Sequence, residues 1–305
     1  LMDVNSQVEV TGYQVLLNSL SEGFKEYGGT LENYAKSPEW KLRVKGKQGE
    51  LAAFSDSYDY IDDIFLVDPN GNVLYSVERE RYLGTNLSNG AYAETLFSEM
   101  VKTSLKEGRI LFSDIERYGQ TDAELGLFLS APLVSNSLKN VGVLVIKVNL
   151  DRIMNGLETA NLAQHEVHYL VGKDGLLRTT LEGDKQDIIV RSIQTKPFLD
   201  WKLKKFESTP SDKWEIESGF AQSGINEYLD PNGYEVFGLH HTVKIHNLEW
   251  LLISEVRKSF ALGAADWLGN IIITLVVITG VLVSILAIIQ SRRITRPIEN
   301  LAKAT

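Results

Sequence analysis

FLVDPNGNVLYS, residues 65–76, reads as a strand, a tight turn and a second strand, and YLVGKDGLLRTT, residues 169–180, repeats that plan 104 residues later. In the first copy the turn is Asp68-Pro69-Asn70-Gly71. Proline suits the first corner of such a turn, and Asn-Gly tolerates positive φ before the next strand. The same four letters recur at Asp230-Pro231-Asn232-Gly233. A second pair, GVLVIKVNLDRIM (142–154) and EWLLISEVRKSFA (249–261), repeats at an offset of 107. Two anchors at nearly one period predict a duplicated module of about a hundred residues. Each copy opens with a hairpin and closes with a β-rich run followed by a helix. Within the first, Ala91–Leu105 reads as a helix, and Arg109–Arg117, Leu125–Val134 and Val141–Val148 read as strands. The expected fold class is therefore α+β, with helices packed on antiparallel sheets.

Upstream, Tyr13, Leu17, Leu20, Phe24, Tyr27, Leu31 and Tyr34 alternate spacings of four and three. That is a heptad stripe on one helix face, predicting a long N-terminal helix over 1–37 that ends at Pro38. Gly28 and Gly29 interrupt it at about 1 kcal/mol each. The stripe either packs on its own domain or pairs in a dimer.

Downstream, no charged residue occurs from Trp267 to Ser291, and the centre reads IIITLVVITGVLVSILAII. About 20 apolar residues suffice to cross the hydrocarbon layer. Arg292, Arg293 and Arg296 follow at once, and positive residues stay on the cytoplasmic side, so residues 1 to about 266 are expected outside the cytoplasmic membrane. The expected domains are the helix (1–37), a membrane-distal module (38–157), a membrane-proximal module (158–262), a transmembrane helix (263–291) and a cytoplasmic start (292–305). The opening LMDVNSQVEV has neither a basic n-region nor an apolar stretch, so a fragment cut after an N-terminal anchor and before a C-terminal module is expected.

The 305 residues include no cysteine, which removes disulfides, thiolate metal sites and thiol nucleophiles. A net charge of −9 argues against nucleic acid, whose affinity comes mostly from Lys and Arg on phosphates. The DPNG turns lack the spaced carboxylates of a calcium loop. His165 and His168, and His240, His241 and His246, have no acidic partner in register, so no metal site is expected. There is no G-x-S-x-G elbow, P-loop or G-x-G-x-x-G loop. The pattern is that of a binding module without cofactor, not an enzyme.

In this order, GTNLSNGAY (84–92), FSDIERY (112–118), LSAPL (129–133), GVLVIKV (142–148) and YLVGKDGLLRT (169–179) resemble the double Cache (dCache) family of bacterial extracytoplasmic sensors. SRRITRPIENLAKAT (291–305) resembles the start of a HAMP domain, through Arg292, Arg293, Arg296, Pro297, Ile298 and Leu301. Proline suits the first turn of a new helix, and Ile294, Ile298 and Leu301 form one stripe. The resemblance implies two tandem PAS-like modules with a small-molecule pocket in the distal one, and a homodimer through HAMP and the N-terminal helix. It implies a receptor in the inner membrane, surrounded by lipid, with a methyl-accepting chemotaxis output. A histidine kinase or a diguanylate or adenylate cyclase is the alternative output. The competing reading is a membrane-anchored exterior enzyme or adhesin.

The resemblance places the pocket between the distal sheet and the loop and helix after the first hairpin. Tyr82, Thr85, Asn86, Tyr92, Asp114, Tyr118, Phe128 and Ser130 are the candidate ligand residues there. The aromatics would wall a small organic molecule and Asp114 would take a cationic or hydroxyl group. Amino-acid-binding members use an Arg, a Trp-Tyr pair and a later Asp. RYLGTNLSNGAY (81–92) lacks the Trp-Tyr pair, although Arg79 or Arg81 stands near the Arg position.

Overall fold

The computed structural model describes residues 4–118, 124–135, 140–159, 166–181, 183–203 and 225–302. Four helices come first: α1 (Val4–Tyr27), α2 (Leu31–Lys36), α3 (Pro38–Val44) and α4 (Gln48–Asp56). The distal sheet follows, with β1 (Ile61–Val67), β2 (Val73–Ser76), α5 (Leu96–Glu107), β3 (Leu111–Phe112), β4 (Glu116–Tyr118), β5 (Glu124–Gly126), β6 (Phe128–Val134), β7 (Asn140–Val148) and α6 (Leu150–Thr159). The proximal part contains β8 (Glu166–Gly172), α7 (Lys196–Leu203), β9 (Asn226–Leu229), β10 (Glu235–Ile245), β11 (Leu248–Arg257) and α8 (Lys258–Ala302).

The repeat in the sequence is a repeat in topology. One sheet has the order β2-β1-β7-β6-β3 and the other β8-β11-β10-β9, with β4 and β5 as a separate ribbon. The repeated segments place β1 beside β7 and β8 beside β11, and both pairs are antiparallel. The counterpart of β2 shrinks to isolated bridges, Val171 to Leu177 and Leu176 to Ser192. The fold is α+β, as expected. The twin DPNG turns have one chemistry in two different places. Asp68 Oδ1 accepts the Asn70 and Asn72 amides between β1 and β2, and Asp230 Oδ1 accepts those of Asn232 and Tyr234 between β9 and β10. Gly71 and Gly233 take φ of +82° and +86°, which only glycine adopts without strain.

The expected helix over 1–37 ends at Tyr27. Gly28 turns left-handed at φ +68°, and Thr30 caps α2 by accepting the Asn33 amide. Pro38 opens a helix instead of closing one: Ser37 caps α3 through the Trp40 amide, and Pro38 sits where a missing N–H costs nothing. The helix expected over 91–105 begins at Leu96, because Thr95 caps it through Ser98. The strand expected over 109–117 divides into β3 and β4.

The stripe on α1 packs on its own sheet. Leu16, Leu17 and Leu20 are buried with Trp40, Leu66, Leu74 and Tyr75. Gly142 admits this contact, since a Cβ there would lie 2.2 Å from Leu17 Cδ2 and 2.5 Å from the Val67 carbonyl. The opposite face of the distal sheet carries a second core. A third, formed by Ile115, Leu127, Leu150, Met154, Leu170, Ile188, Leu248 and Trp250, joins the two modules.

In α8 the apolar residues of 271–289 are exposed on every side. Such a helix suits lipid and not water. Its hydroxyls are spent internally: Thr274, Thr279 and Ser284 donate to the carbonyls of Asn270, Leu275 and Gly280. The helix runs on through Pro297 to Ala302, so the new helix expected to start at Pro297 is instead a continuation.

Candidate functional site

The loop 77–95 and α5 cover one face of the distal sheet, where the pocket is expected. Tyr82 and Phe128 meet there, joined by Phe65 and Phe97 and flanked by half-buried Tyr92. The Tyr82 and Phe97 ring centroids are 4.5 Å apart, Phe97 and Phe128 4.6 Å, and Tyr82 and Tyr92 4.7 Å. This spacing is ordinary for packed aromatic pairs. Sequence reading named three of these rings and missed Phe65 and Phe97; the i, i+3 spacing of Phe97 to Met100 on α5 was a signal, whereas Phe65 lies in the unbroken apolar run of β1.

The polar candidates are occupied by local structure. Thr85 donates to the Tyr82 carbonyl, and Ser130 donates to the Leu111 carbonyl. Asn86 donates to the Asn70 carbonyl and Asn72 Oδ1, and its own Oδ1 accepts the Ser88 and Asn89 amides. Asp114, read as a ligand acceptor, faces the other module instead: it accepts Arg178 Nε at 2.8 Å, Arg178 Nη2 at 2.7 Å and Trp250 Nε1 at 3.1 Å. Tyr118 lies on β4, and its side chain falls outside the described residues. Neighbouring Glu116 anchors the start of α5 by accepting the Leu96 and Phe97 amides. Burial raises its pKa against those two bonds.

The other side of the same loop lines an open cleft of about 490 Å³ against α2 and α3. Lys36, Lys41, Arg79 and Arg81 line it, with Glu32 and Glu80. Four of these charges are already paired: Lys36 with Glu32, Arg81 with Glu124, and Glu80 with Lys147. No ion pair reaches Arg79 or Lys41 among the described residues. The Arg79 guanidinium is held 5.6 Å from the Trp40 ring centroid. Its backbone takes φ +54°, a conformation that costs a non-glycine residue energy and clusters at functional sites. In a chain of net charge −9 this cleft is a local cationic field, suited to a small anion.

The root of that loop is fixed by buried Asp63, which accepts the Ser76 hydroxyl at 2.6 Å and the amides of Ile64 and Glu78. Ser76 in turn accepts the Glu80 amide. Burial pushes the Asp63 pKa from 3.8 up to about 6, against the bonds from Ser76, Glu78 and Ile64. The folded state then binds this proton more tightly than the unfolded chain does. Its contribution is most favourable below about pH 4 and is lost as pH rises through about 6, an amplitude of up to ~3 kcal/mol. Unfolding free energies of wild type and Asp63→Asn, measured from pH 4 to 7, should diverge by about that amount, wild type losing ground as pH rises. A difference that stays constant across this range would show that Asp63 titrates as an ordinary carboxyl.

No protein-family profile matches the chain, and no curated protein does. Solved structures are similar at low identity. The ligand-binding domain of the Pseudomonas aeruginosa PAO1 amino acid chemoreceptor PctB, in complex with L-Arg, is 14% identical with a TM-score of 0.48, over 87% of this chain and 92% of that one. The sensor domain of the V. cholerae histidine kinase DctB is 13% identical with a TM-score of 0.46, over 83% of this chain and 99% of that one. An extracellular ligand binding receptor from Desulfohalobium retbaense is 9% identical with a TM-score of 0.47, over 84% of this chain. This chain spans 41% of that receptor's length.

Proposed function

We propose that this chain is the input end of a transmembrane receptor. Residues 1 to about 266 lie outside the inner membrane and bind a small molecule. The apolar part of α8 crosses the lipid, and 292–305 begin a HAMP domain in a homodimer. The output is a methyl-accepting chemotaxis domain, or alternatively a histidine kinase or a nucleotide cyclase.

One observation carries this reading. β11 lies between β8 and β10, and Arg257, its last residue, is followed at once by Lys258, the first residue of α8. Lys258 is tied to Glu227 on β9 and Glu235 on β10. A shift of the proximal sheet therefore meets no slack loop before the membrane helix. At 1.5 Å per residue the 45 residues of α8 extend about 68 Å, well beyond a hydrocarbon core of about 30 Å. The displacement would leave the membrane on the same rod. The ligand's differential affinity for the two arrangements supplies the energy, typically 1–3 kcal/mol.

In the distal module the polar cleft is the better ligand site than the filled aromatic face. Arg79 and Lys41, which no ion pair reaches among the described residues, select a small anion such as a carboxylate or phosphate. Thermal unfolding of the full chain in lipid nanodiscs, screened against small mono- and dicarboxylates and phosphate, tests this. A specific anion at a hundredfold excess over its dissociation constant should stabilise the protein by about 2.7 kcal/mol. Arg79→Ala should weaken that response at least about tenfold, the value of one charge-assisted bond. Stabilisation that survives Arg79→Ala, or no response to any anion, would remove the cleft from the reading.

A further inference from the structure

A second cavity lies in the proximal module, close to the start of α8. It has a volume of about 100 Å³ and is lined by Val167, Leu181, Val236, Asp230, Glu255 and Arg257, together with the 231–232 turn. At about 30 Å³ per water this is room for roughly three waters, or for one compact organic group.

Glu255 on β11 is 5% exposed. Its Oε1 accepts two hydroxyls, from Tyr169 on β8 at 2.7 Å and from Tyr228 on β9 at 2.8 Å. Gly238 on β10 makes this possible, since a Cβ there would lie 2.1 Å from the Tyr228 oxygen. No hydrogen bond reaches the second carboxylate oxygen, Oε2, among the described residues. Burial pushes the Glu255 pKa up, against the two tyrosine bonds, and Asp230 pushes it the same way. A mostly buried carboxylate whose second oxygen is left to the cavity suits a cationic donor. The cation that lines the cavity, Arg257, is held with its guanidinium 4.2 Å from the Tyr234 ring centroid.

We propose that this cavity is a second ligand site, taking a small organic ammonium whose head bonds Glu255 and whose short alkyl body lies against Val167, Leu181 and Val236. A bare metal ion fits less well, because it wants six or more oxygens and these walls are largely apolar. The site goes beyond the receptor reading and does not depend on the distal cleft. Its place is two residues before Arg257 gives way to α8, so an occupant would bear on the strand that enters the membrane helix.

The test is thermal unfolding of the full chain in lipid nanodiscs, titrated in parallel with propylammonium chloride, propan-1-ol and potassium chloride. Propylammonium alone should raise the unfolding temperature saturably. Glu255→Gln, which keeps the shape and removes the charge, should weaken that response at least tenfold. Leu181→Phe, which leaves the carboxylate intact and fills the cavity from its apolar side, should weaken it as well, and serves if Glu255→Gln does not fold. The proposal is overturned by no response to propylammonium, or by an equal response to propan-1-ol or potassium. It is equally overturned by a response that persists undiminished in Leu181→Phe or in folded Glu255→Gln.

Discussion

Arg178→Ala is expected to destabilise the folded part before α8 by about 2–3 kcal/mol, the loss of charge-assisted bonds to the partly exposed carboxylates of Asp114 and Asp174. The Arg178 side chain is 4% exposed and meets Asp114 through two parallel bonds and Asp174 through a third. Gly172 clears the space, since a Cβ there would lie 2.2 Å from Arg178 Nη2. Burial alone would lower the Arg178 pKa, but the bonds from Asp114 and Asp174 more than offset it and raise it. Asp114 lies just before β4 in the distal module and Arg178 in the proximal one, so the pair is a clamp between modules. Asn247 adds to it, accepting the Phe112 amide and donating to the Phe112 carbonyl, both at 2.7 Å. Urea unfolding should show Arg178→Ala and Asp114→Ala each strongly destabilising. The double variant should cost much less than their sum, because the two share one interaction. If Asp114→Ala shifts stability by less than about 0.5 kcal/mol, as a surface change does, Asp114 is free after all for a ligand.

That outcome bears on what the sequence could reveal. The duplication was legible because strand pattern and turn chemistry are local: 65–76 and 169–180 each specify a hairpin by themselves. The long apolar helix was legible because a charge-free run of that length is itself the signal. Gly28 was visible as a weak point of the N-terminal helix, but the break also needed Thr30 and Ser37 to cap short helices, and two caps inside a strong heptad stripe are easily overridden. The pairing of Asp114 was not legible because its partners, Arg178 and Trp250, are 64 and 136 residues away. FSDIERY gives no sign of them. The Glu255 site was hidden for the same reason: Tyr169, Tyr228 and Glu255 meet only when β8, β9 and β11 come together across β10 and the sheet. Hydrophobic period locates elements, whereas a charge's partner is set by tertiary pairing.

Phe97→Ala is the sharpest test of whether the distal aromatic face is core or pocket. Phe97 is fully buried and touches the rings of Phe65, Tyr82 and Phe128. As core, its truncation removes a large apolar side chain and leaves a hole that the neighbouring rings fill only in part. The expected cost is about 3–5 kcal/mol in unfolding free energy. The loss should be general, since α5 bears on β6 and β7 and Glu116 holds its first turn. A ligand pocket would behave otherwise. Its walls are built to stand apart when occupied, so rings that meet across an empty pocket gain little from the meeting. Truncation would then cost below about 1 kcal/mol, the level of a change outside a packed core. The measurement is urea unfolding of the full chain in nanodiscs, followed by tyrosine and tryptophan fluorescence. A large loss leaves the cationic cleft as the distal module's polar site, and a small one returns Tyr82, Tyr92 and Phe128 to the list of ligand contacts.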